Sequence, residues 1–240
     1  MIDRILQAIL PLSAHQYLSR KKIEYLNGGY FGYDGLDRKL ERYLDYNGGF
    51  YVELGANDGI SVSNTYYFEL KRGWRGVLVE PSPNNFLKCL SLRGVNNSVH
   101  CNACVSFGYK ERFVEIEYAN LMTVSKGLDS DLTNVEEHIN SGKKFLSANE
   151  KTFSFGALAK PLSAILDESK APKKIDLLSL DVEGAELEIL KGVDFEKYEF
   201  NFMLIECRNF DRLSAYLRGV GYEYIEALSK QDYLFKRSSK

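Results

Sequence analysis

The segment Gly48 to Gly59, GGFYVELGANDG, narrows the choice of fold more than any other part of this 240-residue chain. Phe50 to Leu54 is a short apolar run that stops at a turn, where Gly55 and Gly59 bracket Ala56, Asn57 and Asp58. Such a run reads as a buried strand. Glycine then admits positive φ and lets a ligand approach the backbone. Tyr67 to Leu70 falls on the helix that should follow. A strand, a glycine turn and a helix is how an open α/β sheet builds a nucleoside site at the carboxyl end of its first strand.

The chemistry of the turn selects the nucleoside. A dinucleotide fingerprint needs G-x-G-x-x-G, whose open backbone presses on a pyrophosphate. This chain has G-x-x-x-G, with Glu53 before it and Asp58 inside it. Two carboxylates repel a diphosphate and suit cationic groups, such as the amino and sulfonium groups of S-adenosylmethionine. The competing reading is a structural strand-to-helix turn with solvated acids. A second block favours the ligand. Gly76 to Glu80, GVLVE, is an apolar run closed by an acid and followed by Pro81-Ser82-Pro83, and Glu80 lies 25 residues after Gly55. A nucleoside site expects an acid about 20 residues on, accepting from ribose hydroxyls. Proline beyond it ends the strand, because proline cannot continue a ladder.

Ile175 to Asp181, IDLLSLD, is the nearly unbroken apolar run of a central parallel strand. Asp181-Val182-Glu183-Gly184 follow at its carboxyl end, then a helix over Ala185 to Lys191 that ends at Gly192. This strand should neighbour the first across the topological switch point, so Asp181 and Glu183 should face the reactive end of the ligand. The alternative makes Asp181 a helix cap and Glu183 a first-turn acid. Phe200 to Cys207, FNFMLIEC, is a further buried strand with Glu206 at its end.

The blocks VELGANDGISVSNTYYFE, GVLVEPSPNNF and IDLLSLDVEGAELEILKGVDF together resemble the FkbM family of S-adenosylmethionine-dependent methyltransferases, in the family's order, from about Tyr30 to Cys207. The resemblance implies a class I methyltransferase fold: α/β, Rossmann-like, with a mostly parallel central sheet, helices on both faces and a C-terminal antiparallel hairpin. Tyr222 to Ala227 and Tyr233 to Arg237 read as that hairpin, after a helix over Asp211 to Leu217. The family also implies S-adenosyl-L-methionine as cofactor and usually methylation of a hydroxyl oxygen. Its members act on sugars, lipochitooligosaccharides and polyketide products, so the acceptor does not carry over.

The resemblance extends to the loop Gly28 to Gly35, where family members often read G-Q-D and turn polar residues to the donor. Here Gly32-Tyr33-Asp34 stands in that place, which carries over Asp34 better than Tyr33. An ordinary helix entry capped by Asp34 or Asp37, leading into a helix over Leu36 to Tyr46, is the plainer reading. Ser61 to Thr65, including Ser63 and Asn64, opens the next helix, where free N–H groups suit the donor's carboxylate or are capped by the same side chains. Ser98 to Ser106 reads as a third strand ending near Asn102-Ala103-Cys104, which in this fold flanks the adenine; His100 is a core group. The donor-site expectation thus comprises Asp34, Glu53, Gly55, Ala56, Asn57, Asp58, Gly59, Ser63, Asn64, Glu80, Pro81, Ser82, Asn102, Ala103, Cys104, Asp181 and Val182.

Phe107 to Lys126 alternates like half-buried β structure. Leu128 to Glu150 is polar without a period and reads as an insertion over the acceptor site; it holds His138. Lys151 to Leu158 reads as a strand returning to the core and Pro161 to Glu168 as a helix. Residues 1–46 should form a helical segment packing on the donor site and 47–240 the methyltransferase domain. Met1 to Leu18 has helical apolar spacing but is too short to span a membrane; it packs on the domain or rests on a membrane surface. Arg20-Lys21-Lys22 is a solvated basic run.

A net charge of −2 gives no footing for a nucleic-acid partner. The four cysteines do not make a disulfide framework, the single CxxC of Cys101 and Cys104 lacks the second pair of a structural zinc site, and no leader is evident. A reducing cytoplasm follows. Methyl transfer is an in-line displacement that needs alignment and a base for the attacking alcohol. Asp181, Glu183 and Glu206 are the candidate bases, with His138 behind them, and Asp181 and Glu206 would ligate a divalent cation such as magnesium if one is used. The acceptor is expected to be a small molecule or glycan bearing a sugar hydroxyl. Two other readings stay open, a scaffold that kept the fold without catalysis and a nicotinamide-dependent dehydrogenase.

Overall fold

The computed structural model describes Leu18, Lys21, Tyr25 and residues 28–147 and 150–238. The expected N-terminal helix and the basic run after it lie almost wholly outside these residues. In chain order come α1 (Leu36–Leu40), β1 (Phe50–Leu54), α2 (Tyr66–Arg72), β2 (Arg75–Val79), α3 (Pro83–Arg93) and β3 (Ser98–His100). Then follow β4 (Ala103–Val105), β5 (Phe113–Tyr118), β6 (Val124–Lys126), α4 (Val135–Gly142), β7 (Phe153–Pro161) and α5 (Leu162–Glu168). The chain closes with β8 (Lys174–Leu180), α6 (Glu186–Leu190), β9 (Glu199–Glu206), α7 (Phe210–Gly219), β10 (Tyr222–Ala227) and β11 (Asp232–Arg237).

The main sheet has the order β10-β11-β9-β8-β1-β2-β3. β1 pairs in parallel with both β2 and β8, and β11 is antiparallel to β9 and β10. This is the α/β arrangement the resemblance implied, including the antiparallel end. Side chains alternate across a strand, so β1 serves both layers. Val52 and Leu54 pack in one core with Leu162, Ile189 and Leu213, from α5, α6 and α7. Tyr51 packs in the other with Leu36, Phe68 and Cys89, from α1, α2 and α3. Glu53 shares the Tyr51 face, which puts a carboxylate over α3.

Four expectations need correction. Ser98 to Ser106 is not one strand. β3 stays in the main sheet beside β2, whereas β4 pairs with β7 in a second sheet of order β4-β7-β5-β6. The apolar pattern runs through the break, and only the identity of the partners reveals it. The strand after residue 150 joins that second sheet, with only Ala157 fully buried, rather than returning to the main core. The insertion is not structureless: Asn134 caps α4 by accepting from the Glu137 N–H. A helix of eight residues, mostly outside the core, leaves no period in sequence. The α-helix after residue 35 also ends earlier than expected, at Leu40.

Candidate active site

Neighbouring parallel strands whose connections depart in opposite directions leave a crevice at their carboxyl ends. Here β1 and β8 form it, with Leu54 opposite Leu180. Gly55 takes φ 80°, and a Cβ there would stand 1.9 Å from the Asp181 carbonyl oxygen. Glycine is therefore required because the two strand-end turns touch. The cavity above them is lined by both turns, by Pro81, Asn102, Ala103 and Cys104, and by Asn120, Leu121, Thr123 and Ser125 from the second sheet and the segment leading into it.

Glu53 borders this cavity, yet its carboxylate is committed to the protein. It accepts from Ser63 Oγ, from the Asn64 N–H at 3.0 Å and from Thr65 Oγ1 at 2.7 Å, and Arg93 Nη1 lies 3.3 Å away. Arg93 is fully buried and also donates to Glu69, Tyr51, Thr65 and the Gly59 carbonyl. The expected role of Glu53 against the ligand's cationic groups gives way to this network, which fixes the entry to α2. The N–H groups of Thr65 and Tyr66 are met by Ser63 Oγ, so with Asn64 the expected carboxylate seat at residues 61–65 is filled from within. One acceptor remains at the wall: Asn64 Nδ2 donates to Ser179, and its Oδ1 is buried without a partner.

Asp58 turns away from the cavity to accept from the Ile60 and Ser61 N–H groups, and Gly59 packs on Cys89 and Arg93. Asp34 is exposed and paired with Lys39. Asp37 is the buried acid of that segment. It accepts from the Phe31 N–H at 2.6 Å, while Gly32 bridges Val62 beside the donor-site loop. Glu80 sits at the end of β2 as expected. Its two oxygens accept from the Asn57 and Ser82 N–H groups at 2.9 Å, and burial pushes its carboxyl up to about 7. A carboxyl near neutrality can both accept from and donate to ribose hydroxyls. Asn102 spends its amide N–H on the Leu158 carbonyl, so that end of its side chain serves the second sheet rather than a base edge. Ser82 precedes α3, and its Oγ is buried without a partner.

At the other turn, carboxylate oxygens of Asp181, Glu183 and Glu206 lie within 4.8 Å of one another. Glu183 takes φ 60° and Gly184 φ 111°, and Glu186 Oε1 secures this turn by accepting from the Val182 and Gly184 N–H groups. Asp181 is exposed and lines the cavity. Desolvation by the protein around it first, then Glu206 and Glu183, raise its carboxyl well above the usual range. Burial and Glu183 also raise Glu206. α4 brings His138 Nε2 to 3.1 Å from Glu183, uniting all four expected catalytic residues. Arg208, unassigned from sequence, places Nη2 2.8 Å from Glu183. Its position two residues after the strand-end acid Glu206 was the signal available. For Asn120, which accepts from Asn57 Nδ2, sequence offered none.

Among the described residues the cavity is lined by no lysine, arginine or histidine, and of its acids Glu53 and Glu183 are paired with Arg93 and Arg208 from outside it whereas Glu80 and Asp181 are not paired. That suits S-adenosylmethionine, whose sulfonium and amino groups outweigh its carboxylate, and opposes a diphosphate. A divalent cation fits less well. Although the three acids are close enough to share one, the Glu183 oxygen is already paired with a guanidinium. Unit charges 4 Å apart repel by about 4 kcal/mol at an effective dielectric near 20, and a dication by about twice that.

The α/β fold and its acid-lined crevice at the strand ends suit a cationic nucleoside such as S-adenosylmethionine. The sequence profile of the Methyltransferase FkbM domain matches residues 53–224, and the chain belongs to that family. Methyltransferase 1 of Beauveria bassiana (strain ARSEF 2860) is 27% identical over 155 residues, which cover 62% of this chain and 60% of the relative's length. Among solved structures, a methyltransferase of Geobacter sulfurreducens aligns over 99% of this chain and 96% of its own, with TM-score 0.47 and 12% identity. A TehB-like SAM-dependent methyltransferase of Corynebacterium glutamicum aligns over 95% and 100%, with TM-score 0.44 and 9% identity. Among the described residues no helix is long and apolar enough to cross a membrane.

Proposed function

We propose that this methyltransferase acts on oxygen, moving the methyl group to a sugar hydroxyl that is free or part of a glycan, glycolipid or nucleotide-sugar precursor. The observation that carries the reading is the acidic end of the donor cavity, where Asp181, Glu183 and Glu206 converge. An alcohol becomes acidic as it attacks the methyl carbon, and a carboxylate with a raised pKa is a suitable proton acceptor near neutral pH. Asp181 takes the proton, because Glu183 is engaged by Arg208 and His138. Glu206 supports Asp181 by sharing the charge. The segment 128–150 forms the acceptor wall through α4. No step passes through a divalent cation at Asp181 and Glu206. The reading includes a reducing, cytoplasmic setting, in keeping with four free cysteines.

Calorimetric titration with S-adenosylmethionine, S-adenosylhomocysteine and NAD tests the donor. The two sulfur nucleosides should bind, NAD should not, and Glu80→Ala should weaken both. Transfer of labelled methyl from the donor to a panel of sugars and glycolipid extracts then tests the acceptor. Asp181→Asn should cut transfer by about 10²–10⁴-fold while donor binding survives. Donor binding with no transfer to any oxygen acceptor would point to a scaffold, and preferential methylation of an amine would overturn O-methylation.

A further inference from the structure

We infer that Arg208 is the resident cation of the acidic rim, a positioning residue in the place where a metal ion would otherwise be needed. Four acids crowd this corner: Asp131, Asp181, Glu183 and Glu206. The Arg208 guanidinium reaches three of them, with Nη2 2.8 Å from Glu183 and Nη1 3.8 Å from Asp131 and 3.9 Å from Glu206. The Arg208 backbone is anchored as well, because Asp131 Oδ2 accepts from the N–H groups of Arg208 and Asn209 at 2.7 and 3.0 Å. The Asp131 N–H in turn donates to the Gly184 carbonyl at 2.9 Å. One short strap from the insertion therefore ties the turn after β8 to the turn after β9, and Arg208 places one positive charge among the acids that this brings together.

The same contacts explain a division of labour. A guanidinium forms fixed, planar hydrogen bonds and does not lose its charge at any physiological pH. Bound to Glu183, it keeps that acid from competing with Asp181 for the acceptor's proton. His138 Nε2, buried and with no hydrogen-bond partner, approaches the same Glu183 oxygen from α4. Glu183 is thus the common partner of the strand-end cation and the insertion helix, and Asp181 is left facing the cavity.

This inference rests on the rim being the reacting end of a methyltransferase site, and the experiment separates the two. Mn2+ binding is followed by electron paramagnetic resonance on the wild type, Arg208→Ala, Arg208→Lys, and Arg208→Ala combined with Glu206→Gln, each first shown to melt cooperatively. If Arg208→Ala does not, Arg208→Met replaces it. The wild type and Arg208→Lys should show no saturable Mn2+ binding. Removing the cation should unmask a saturable site, raising the Mn2+ bound at sub-saturating concentration at least about tenfold over the wild type, and the added Glu206→Gln should abolish it. A loss of packing alone would not create a metal site. Saturable Mn2+ binding by the wild type, or no gain in the folded cation-free variant, overturns the inference. Titration of the same samples with S-adenosylmethionine reports separately on the donor site.

Discussion

At the end of β1, Asn57 takes φ 47° shortly before Gly59 at 85°; at the end of β8, Glu183 takes φ 60° just before Gly184 at 111°. Each turn is pinned by a buried carboxyl that accepts two backbone N–H groups, Glu80 in the first case and Glu186 in the second. The backbone devices match, and the charges around them do not. At the first turn the buried carboxylate of Glu53 is matched by Arg93, whose side chain is 0% exposed. At the second turn Arg208, whose side chain is 20% exposed, serves three acids, and Asp181 beside them has no paired cation among the described residues. The carboxylate of Glu53 at one turn is neutralised and holds shape, whereas the other turn carries more acids than cations.

The comparison can be broken most severely at Arg93. Arg93→Ala should cost about 3–5 kcal/mol in chemical denaturation, because it leaves Glu53 buried and unpaired. The two pinning acids come next. Burial pushes the Glu186 carboxyl up to about 8. A folded-state value above the unfolded one means that the native state keeps a proton the unfolded chain releases. Stability from this group is therefore full below about pH 4.5 and declines up to about pH 8, by about 4–5 kcal/mol. Glu186→Gln keeps the accepting oxygen and should flatten that decline in melts taken from pH 5 to 8; an unchanged slope would show that Glu186 is ionised throughout. Gly55→Ala should cost about 2–3 kcal/mol and remove donor binding in calorimetry, since its Cβ meets the other turn. The smallest effect sharpens the contrast: Arg208→Ala should cost only about 1–2 kcal/mol, because its ion pairs are partly solvated.

Much of the site was legible because its signals are local. A glycine turn after an apolar run, an acid closing the next strand and an acid closing the β8 run all follow from backbone freedom and strand ends. Asp181, Glu183, Glu206 and His138 do meet, although His138 arrives on a helix that sequence did not predict. What failed depended on partners far along the chain. Glu53 looked like a ligand-facing acid until Arg93, 40 residues away, took it up. Asp34 seemed the inward acid of its loop, but Asp37 is the buried one.

By itself the sequence determined the family, the α/β class, the place of the glycine turn and which strand ends carry acids. Each of these depends on residue type and short spacing alone. Tertiary structure alone decided which of those acids remain available. It placed Arg93 under one turn, Arg208 and the Asp131 strap beside the other, and split β3 from β4 so that a second sheet could wall the cavity. Whether a carboxylate is spent on structure or left for chemistry depends on which donor reaches it through space, and no local pattern encodes that.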